Sequence, residues 1–235
     1  MRALVLAAGR GERMRPLSDS TAKPLLRVAG RRLIEWQIQA LVRAGIVEMV
    51  INTAHLGVQI EEALGDGRAL GACIHYSREG PLAADALETL GGIVKALPRL
   101  GEQAFVVVSS DILTDFDYAQ LLPAAALVDA GTIDAHLVLV ENPPYHRLGD
   151  MGIRTLAQTG ADPALATREE PRYTYANIGV FAPRLFCTLA PVRAKLFPWM
   201  YAAVERGRVG AQLWHGRWYN VGTPEDLAQA DKIWP

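Results

Sequence analysis

The apolar run Leu4 to Ala8 opens directly into a loop rich in glycine and arginine that closes on Lys23 and Pro24, and no other stretch constrains the fold as tightly. Residues 2 to 8 are nearly all apolar, as expected for a strand buried on both faces of a parallel sheet. Gly9 and Gly11 remove the side chains that would hold backbone N–H groups away from an anion, and Arg10, Arg13, Arg15 and Lys23 add positive charge around them. Such a loop suits a polyphosphate. It is not a dinucleotide fingerprint, which needs a third glycine where Met14 stands, nor a P-loop, which needs Gly-Lys-Ser/Thr.

Strand and helix patterns alternate after this loop. Leu33, Ile34, Trp36, Ile38, Leu41 and Val42 make residues 31 to 44 an amphipathic helix stopped by Gly45. Strands are predicted at 47 to 52, 73 to 76, 105 to 109, 135 to 140, 175 to 181 and 218 to 221. Helices are predicted around Ile60 to Leu64, over 90 to 97, and after Thr223 and Pro224. Residues 155 to 172 lack periodicity and are expected to be an exposed excursion. The alternation predicts an α/β fold with right-handed crossovers and a mostly parallel twisted sheet flanked by helices. With 235 residues, about half of them apolar, one domain over 1–235 is expected.

The net charge of −1 offers no general attraction for nucleic acid, so a small anionic substrate must be held by local cations. No leader pattern or membrane-length apolar run is seen, so a cytoplasmic protein without a membrane partner is expected. Cys73 and Cys187 form no metal or redox pattern and read as reduced structural thiols, and the five histidines have no zinc-ligand spacing. Trp199, Trp214 and Trp218 read as core or pocket-wall aromatics.

The segment from Leu6 through Gly9, Gly11, Arg13 and Pro16 to Lys23-Pro24 resembles the LxxGxGxRxxP(x)nKP signature of the sugar-phosphate nucleotidyltransferases. The likeness covers most of the chain, and within the family it is nearest to the branch acting on N-acetylmuramate 1-phosphate. It implies one Rossmann-like, GT-A-like nucleotidyltransferase domain, the N-terminal half binding nucleotide and the later half binding the sugar phosphate. Leu6, Ala7, Ala8, Gly9, Gly11, Glu12, Arg13 and Lys23 would hold the nucleotide. Arg13 would sit on the β and γ phosphates, and Lys23 near the reacting centre.

Asp111, just past a predicted strand end, is the expected Mg2+ ligand, with Mn2+ as a substitute and with Arg13 and Lys23 as catalytic partners. The second metal carboxylate of the family lies in WxDVGTP, whereas this chain reads WYNVGTP and places Asn220 there. An amide oxygen can ligate a hard cation but brings no negative charge, so weaker metal binding is expected.

The stretch PLAADALETLGGI, residues 81 to 93, resembles a base-recognition segment ending in LETGGG, with Leu90 replacing a glycine and Ala83 to Ala86 as extra length. Glu88, Gly91 and Gly92 are the base contacts this implies. Residues 141 to 153, ENPPYHRLGDMGI, resemble an NPxHxxxGDF sugar segment. Asp150, Ser109 in place of an asparagine, and Lys195 are the implied sugar-phosphate contacts, with His146 beside Asp150.

The expected reaction joins UTP and N-acetylmuramate 1-phosphate into a UDP-sugar and pyrophosphate in cell-wall recycling, by a monomer. Two alternatives stand beside it. One is guanylyl transfer to another hexose 1-phosphate such as mannose 1-phosphate, and the other is a catalytically silent sugar-nucleotide-binding module, suggested by Asn220, Leu90 and Ser109.

Overall fold

The computed structural model describes residues 1–155 and 164–234. Its strands are β1 (Arg2–Leu6), β2 (Arg27–Val28), β3 (Arg31–Arg32), β4 (Glu48–Thr53), β5 (Cys73–Arg78), β6 (Phe105–Ser109) and β7 (Ile112–Thr114), followed by β8 (Ala135–Val140), β9 (Met151–Arg154), β10 (Leu165–Thr167), β11 (Arg172–Phe181), β12 (Val209–Trp214) and β13 (Trp218–Asn220). The helices are α1 (Leu17–Ser20), α2 (Leu33–Arg43), α3 (Gly57–Leu64), α4 (Glu88–Leu100), α5 (Leu122–Asp129), α6 (Tyr201–Glu205) and α7 (Pro224–Ile233).

Nine strands join one sheet in the order β5-β4-β1-β6-β11-β8-β12-β10-β9. The expected parallel arrangement holds for β5, β4, β1 and β6. It does not hold for the other half. β11 runs antiparallel to both β6 and β8, because the chain returns from β8 through the short strands β9 and β10 and not through a crossover helix. The sheet is therefore mixed, with β8 and β12 parallel again beyond it.

Alternate residues of β1 and β6 feed opposite faces. Ala3, Val5, Val106 and Val108 pack with Ile34, Ile38 and Leu41 of α2 and Ile60 of α3. Leu4, Phe105 and Val107 pack with Ile93 and Val94 of α4 and Ala203 of α6. Helix α2 forms because its apolar residues fall on one stripe. Its first turn closes when Glu35 accepts the Arg32 N–H at 3.1 Å, and it stops at Gly45, whose φ of +78° suits glycine. Leu33, Ile34, Ile38 and Leu41 are fully buried, each worth about 1.5–3 kcal/mol; Ile38→Ala should cost about 2–5 kcal/mol.

A third, smaller core positions the site. Met14, at the place a dinucleotide fingerprint would fill with glycine, is fully buried against Val28, Leu33, Leu113, Val221, Ala230 and Trp234. This fastens the glycine loop to the β7/β13 ribbon and to α7. The expected excursion at 155 to 172 is corrected in its later part, where Leu165–Thr167 pairs with β9 and β12; residues 156–163 lie outside the described residues. Among the described residues, no helix is long and apolar enough to cross a membrane.

Candidate active site

Where β1, β4 and β6 end, an open cleft of about 520 Å³ is bounded on one side by residues Leu6 to Glu12, Lys23 and Ser109 to Asp111. Its other wall is Glu79, the Ala83 to Thr89 stretch and Arg193. The position is the usual ligand edge of a parallel α/β sheet. Leu6, Ala7, Ala8, Gly9, Gly11, Glu12 and Lys23 are thus brought together as their sequence pattern implies.

The loop geometry suits close approach of an anion. A Cβ on Gly9 would meet nothing within 4 Å, so its backbone faces open space. Gly11 holds φ +68° at the entry to a 3-10 turn, Glu12–Met14, and its carbonyl accepts from Ser18 Oγ at 2.8 Å. The cations divide by role. Arg10 donates to Asp19 and to the Ser18 carbonyl, both at 2.8 Å, and lies 2.9 Å from His55 Nε2. Arg15 donates to the same Asp19 oxygen at 2.8 Å, and both guanidiniums hold the Asp19 carboxyl below its usual range. Arg10 and Arg15 therefore brace the loop through Asp19, and of the two only Arg10 lines the cleft.

Lys23 Nζ forms an ion pair with Asp111 Oδ2, with 10% and 27% of the two side chains exposed. Arg13 is exposed, does not line the cleft wall, has no ion-pair partner among the described residues, and places its guanidinium beside Gly222. Asp111 and Asn220 are neighbours through the backbone: Val221 N–H donates to the Asp111 carbonyl at 2.9 Å, and Asn220 is paired with Ile112. The Tyr145 phenol lies near the Asn220 side chain and feels the charges of Asp226, Arg13 and Asp111; burial raises that phenol's pKa. Arg13, Asp111, Tyr145 and Asn220 thus form one neighbourhood. Tyr145 was missed in the sequence, although it lies inside the segment 141 to 153.

With the nearby Asp226 Oδ2 accepting the Gly222 and Thr223 N–H groups at 3.0 and 2.9 Å, Asp111 and Asn220 leave a sparse but chemically suitable oxygen set for Mg2+, which commonly takes few protein ligands and completes its shell from water and substrate phosphates. The loss of the second carboxylate fits a site that leans on its substrate. Among the described residues, a group of three potential His, Cys, Asp or Glu metal ligands exists elsewhere, at Glu48, Cys73 and His75.

The base-recognition expectation is partly corrected. Gly91 and Gly92 lie inside α4 and are buried: a Cβ on Gly91 would stand 2.2 Å from the Val192 carbonyl, and one on Gly92 2.7 Å from Glu79 Oε1. Gly91 lets the Val192 backbone approach α4, Gly92 leaves room for the Glu79 and Asn52 side chains, and neither lines the cleft. Glu88 does line it, at φ +61°, within 3.3 Å of Arg193. Behind it lies a buried relay that sequence reading missed. Ala7 N–H donates to Asn52 Oδ1 at 2.7 Å, Asn52 Nδ2 donates to Glu79 Oε1 at 2.7 Å, and Leu87 N–H donates to Glu79 Oε2 at 2.6 Å. The relay ties the phosphate loop to the opposite wall, and burial raises the Glu79 pKa.

Of the expected sugar-phosphate contacts, Ser109 is in the cleft wall, whereas Asp150 and Lys195 are not. Asp150 Oδ2 accepts the Tyr175 N–H at 2.7 Å and its carboxylate lies 3.6 Å from His146 Nε2, so much of it is committed to holding its segment on β11. Lys195 is exposed and unpaired among the described residues. Another missed residue is Asn177, at φ +57° in the bulge of β11 next to the Ile178–Val108 pairing, hence beside the end of β6. Asn is among the few non-glycine types that tolerate this conformation, which was the available signal. Trp218 Nε1 braces the bulge by donating to the Ala176 carbonyl at 2.9 Å, while Trp214 packs on Phe116 and Trp199 stacks on Phe186.

Comparison with known proteins agrees with this geometry. Residues 2–234 match the nucleotidyl transferase family. The chain is 45% identical over 234 residues to the N-acetylmuramate alpha-1-phosphate uridylyltransferase of Neisseria meningitidis serogroup B, covering 99% of this chain and 98% of that one. It is 31% identical to the enzyme of the same name from Caulobacter vibrioides, covering 97% and 95%. A Bacillus anthracis structure assigned as a glucose-1-phosphate thymidylyltransferase superposes with a TM-score of 0.79 at 18% identity, over 99% of this chain and 94% of that one, a likeness of fold alone. The loop, the cleft at the strand ends and the full-length match lead to one conclusion: the chain belongs to the nucleotidyl transferase family.

Proposed function

We propose that this enzyme transfers UMP from UTP to N-acetylmuramate 1-phosphate, forming a UDP-sugar and pyrophosphate. The observation that carries the reading is the Lys23–Asp111 pair in a cleft walled by the Gly9–Gly11 loop, in a chain 45% identical throughout to a uridylyltransferase of that specificity. A sugar-phosphate oxygen attacks the α-phosphorus, a new P–O bond forms, and the bond from the α-phosphorus to the bridging oxygen breaks as pyrophosphate leaves. Two anions must be held together while negative charge moves onto the leaving group, so positioning and charge compensation carry the catalysis.

The backbone at Gly9 and the Lys23 ammonium supply donors for the triphosphate, and Arg13 receives its outer phosphates. A divalent ion, Mg2+ in this proposal and Mn2+ as its substitute, would be held by Asp111 and Asn220 and would neutralise phosphate charge. Glu88 and the Ala83 to Ala86 stretch flank the base, with Glu79 fixing that wall. Ser109 at the end of β6 serves the sugar phosphate from the cleft wall, joined by Asp150 and Lys195 from the later half of the chain.

The test is incubation of pure protein with each nucleoside triphosphate and each candidate sugar 1-phosphate in Mg2+, following pyrophosphate release. The expected result is turnover with UTP and N-acetylmuramate 1-phosphate well above other pairs. Preference for GTP and mannose 1-phosphate overturns the specificity, and UDP-sugar binding without turnover at any Mg2+ or Mn2+ concentration overturns the enzyme assignment.

A further inference from the structure

At the far ends of β4 and β5 from the cleft, Glu48, Cys73 and His75 each present a potential metal-ligating atom, all within 4.8 Å of one another. We propose that these three residues form a Zn2+ site on the edge of the sheet, independent of the catalytic centre. The linear sequence hides it. Cys73 and His75 share a face because strands repeat every two residues, Ile74 between them is buried in the core, and Glu48 is delivered from the neighbouring strand by the Glu48–Cys73 pairing.

The chemistry and dimensions agree with that ion. A thiolate, an imidazole and a carboxylate form a mixed sulfur, nitrogen and oxygen set typical of zinc and unlike the all-oxygen shell of Mg2+. Bond lengths of about 2.0–2.3 Å give a tetrahedron edges of roughly 3.3–3.6 Å. Cys73 Sγ lies 3.7 Å from His75 Nε2, and His75 Nε2 lies 3.8 Å from Glu48 Oε2. Closing the site needs shifts of tenths of an ångström along those edges, and the third, between Cys73 and Glu48, is within 4.8 Å. The three ligands leave a fourth position for water, as in open zinc sites.

Without a cation, burial and the Glu48 charge raise the Cys73 thiol pKa. Zinc binding reverses that bias: the thiol proton leaves to solvent and the Sγ–Zn bond replaces it. The ion would bridge β5, the outermost strand, to β4. Glu48 and Asn52, which lines the cleft, are separated by roughly 13 Å of strand, so the site stabilises the edge without entering the chemistry.

Co2+ titration of the full chain tests this, because a thiolate ligand adds a sulfur-to-cobalt absorption that oxygen ligands at the catalytic centre do not produce. One equivalent is expected to develop the band and Zn2+ to displace it. Cys73→Ser should abolish the band, while Glu48→Gln and His75→Ala should weaken binding by about tenfold or more. Cys187→Ser should leave it intact. Zn2+ should raise the Tm of the native chain and not of Cys73→Ser. Failure of the band to form at saturating Co2+, or its persistence in a folded Cys73→Ser protein, overturns the proposal.

Discussion

Lys23 and Asp111 stand 88 residues apart in the chain and meet as an ion pair at the floor of the cleft, because β1 and β6, from which their loops leave, are adjacent parallel strands. Each offsets the other's charge until phosphate arrives. Removing either strips a preorganised charge from the reacting centre, a loss typically worth two to three orders of magnitude in rate. Lys23→Met and Asp111→Asn are therefore expected to lower kcat by about 10²–10³ with a native circular dichroism spectrum. Pyrophosphate release in single turnovers checks it, and near-normal rates in either variant count against the assignment.

The arginines of the loop separate by what they already hold. Arg15 is committed to Asp19, whereas Arg13 has no ion-pair partner among the described residues and sits beside Gly222 and Tyr145. Arg13→Ala should cut turnover by orders of magnitude and raise the KM for the triphosphate. Arg15→Ala should change both little, since an exposed pair contributes little once screened by solvent. Steady-state kinetics on the two variants side by side would expose equal effects, which this division of roles excludes.

Glycines make a second contrast. An added methyl at Gly9 meets empty space, while at Gly91 it strikes the Val192 carbonyl at 2.2 Å. Gly9→Ala should melt like the native protein yet bind triphosphate more weakly, because its Cβ occupies the volume a phosphate needs. Gly91→Ala should lose about 1–3 kcal/mol of stability through overpacking. Thermal melts combined with calorimetric binding read both; a Gly9→Ala protein with unchanged affinity removes that backbone from the phosphate site.

The local physics of this chain is written close together, which explains what can be read from it. The opening strand, α2 with its stop at Gly45, and Asp111 beyond β6 follow from apolar period and turn chemistry. Even the Arg15–Asp19 pair, at i,i+4, is visible in the sequence, although its consequence for free charge emerges only with Arg10 on the same carboxylate. The buried roles of Gly91 and Gly92 are not visible, because Gly91 depends on Val192 from a segment a hundred residues later and Gly92 on Glu79 and Asn52 from two other segments. Strand β12 also escapes the pattern. Gly210 breaks its apolar run, and the glycine is there because a Cβ would stand 2.6 Å from His136 Nδ1 of the neighbouring β8. The antiparallel return of β11 likewise depends on pairings among β8, β9 and β10, short strands with weak individual signals.

Glu79 carries a pH signature. Burial raises its pKa in the folded protein above the ordinary 4.5, so between those values the folded state holds a proton that the unfolded state has released, and stability falls as pH rises through that window. Glu79→Gln cannot ionise and loses this slope. Denaturant unfolding of both proteins from about pH 4 to 8 should show the native protein's stability relative to the variant declining with pH and then levelling. A difference independent of pH would mean that the relay from Ala7 through Asn52 to Leu87 compensates the buried charge fully.

Asn220 is the sharpest departure within the site, and its consequence is electrostatic. Val221 fixes the neighbouring backbone to Asp111, so replacing the amide by a carboxylate changes charge with little change of position. A second negative oxygen beside Asp111 should strengthen attraction for a divalent ion, while the Tyr145 phenol, already raised by burial, should become harder to ionise next to the added charge. Asn220→Asp is therefore expected to shift the Mg2+ dependence of turnover to lower concentration, with the maximal rate changing less than the half-saturating concentration. Repeating the titration at several UTP concentrations separates ion binding from nucleotide binding: in the native protein the half-saturating Mg2+ should fall as UTP rises, since substrate phosphates replace the missing carboxylate, and in the variant it should depend on UTP less. Superimposable curves for the two proteins would remove position 220 from the metal site and leave Asp111 as its protein ligand there.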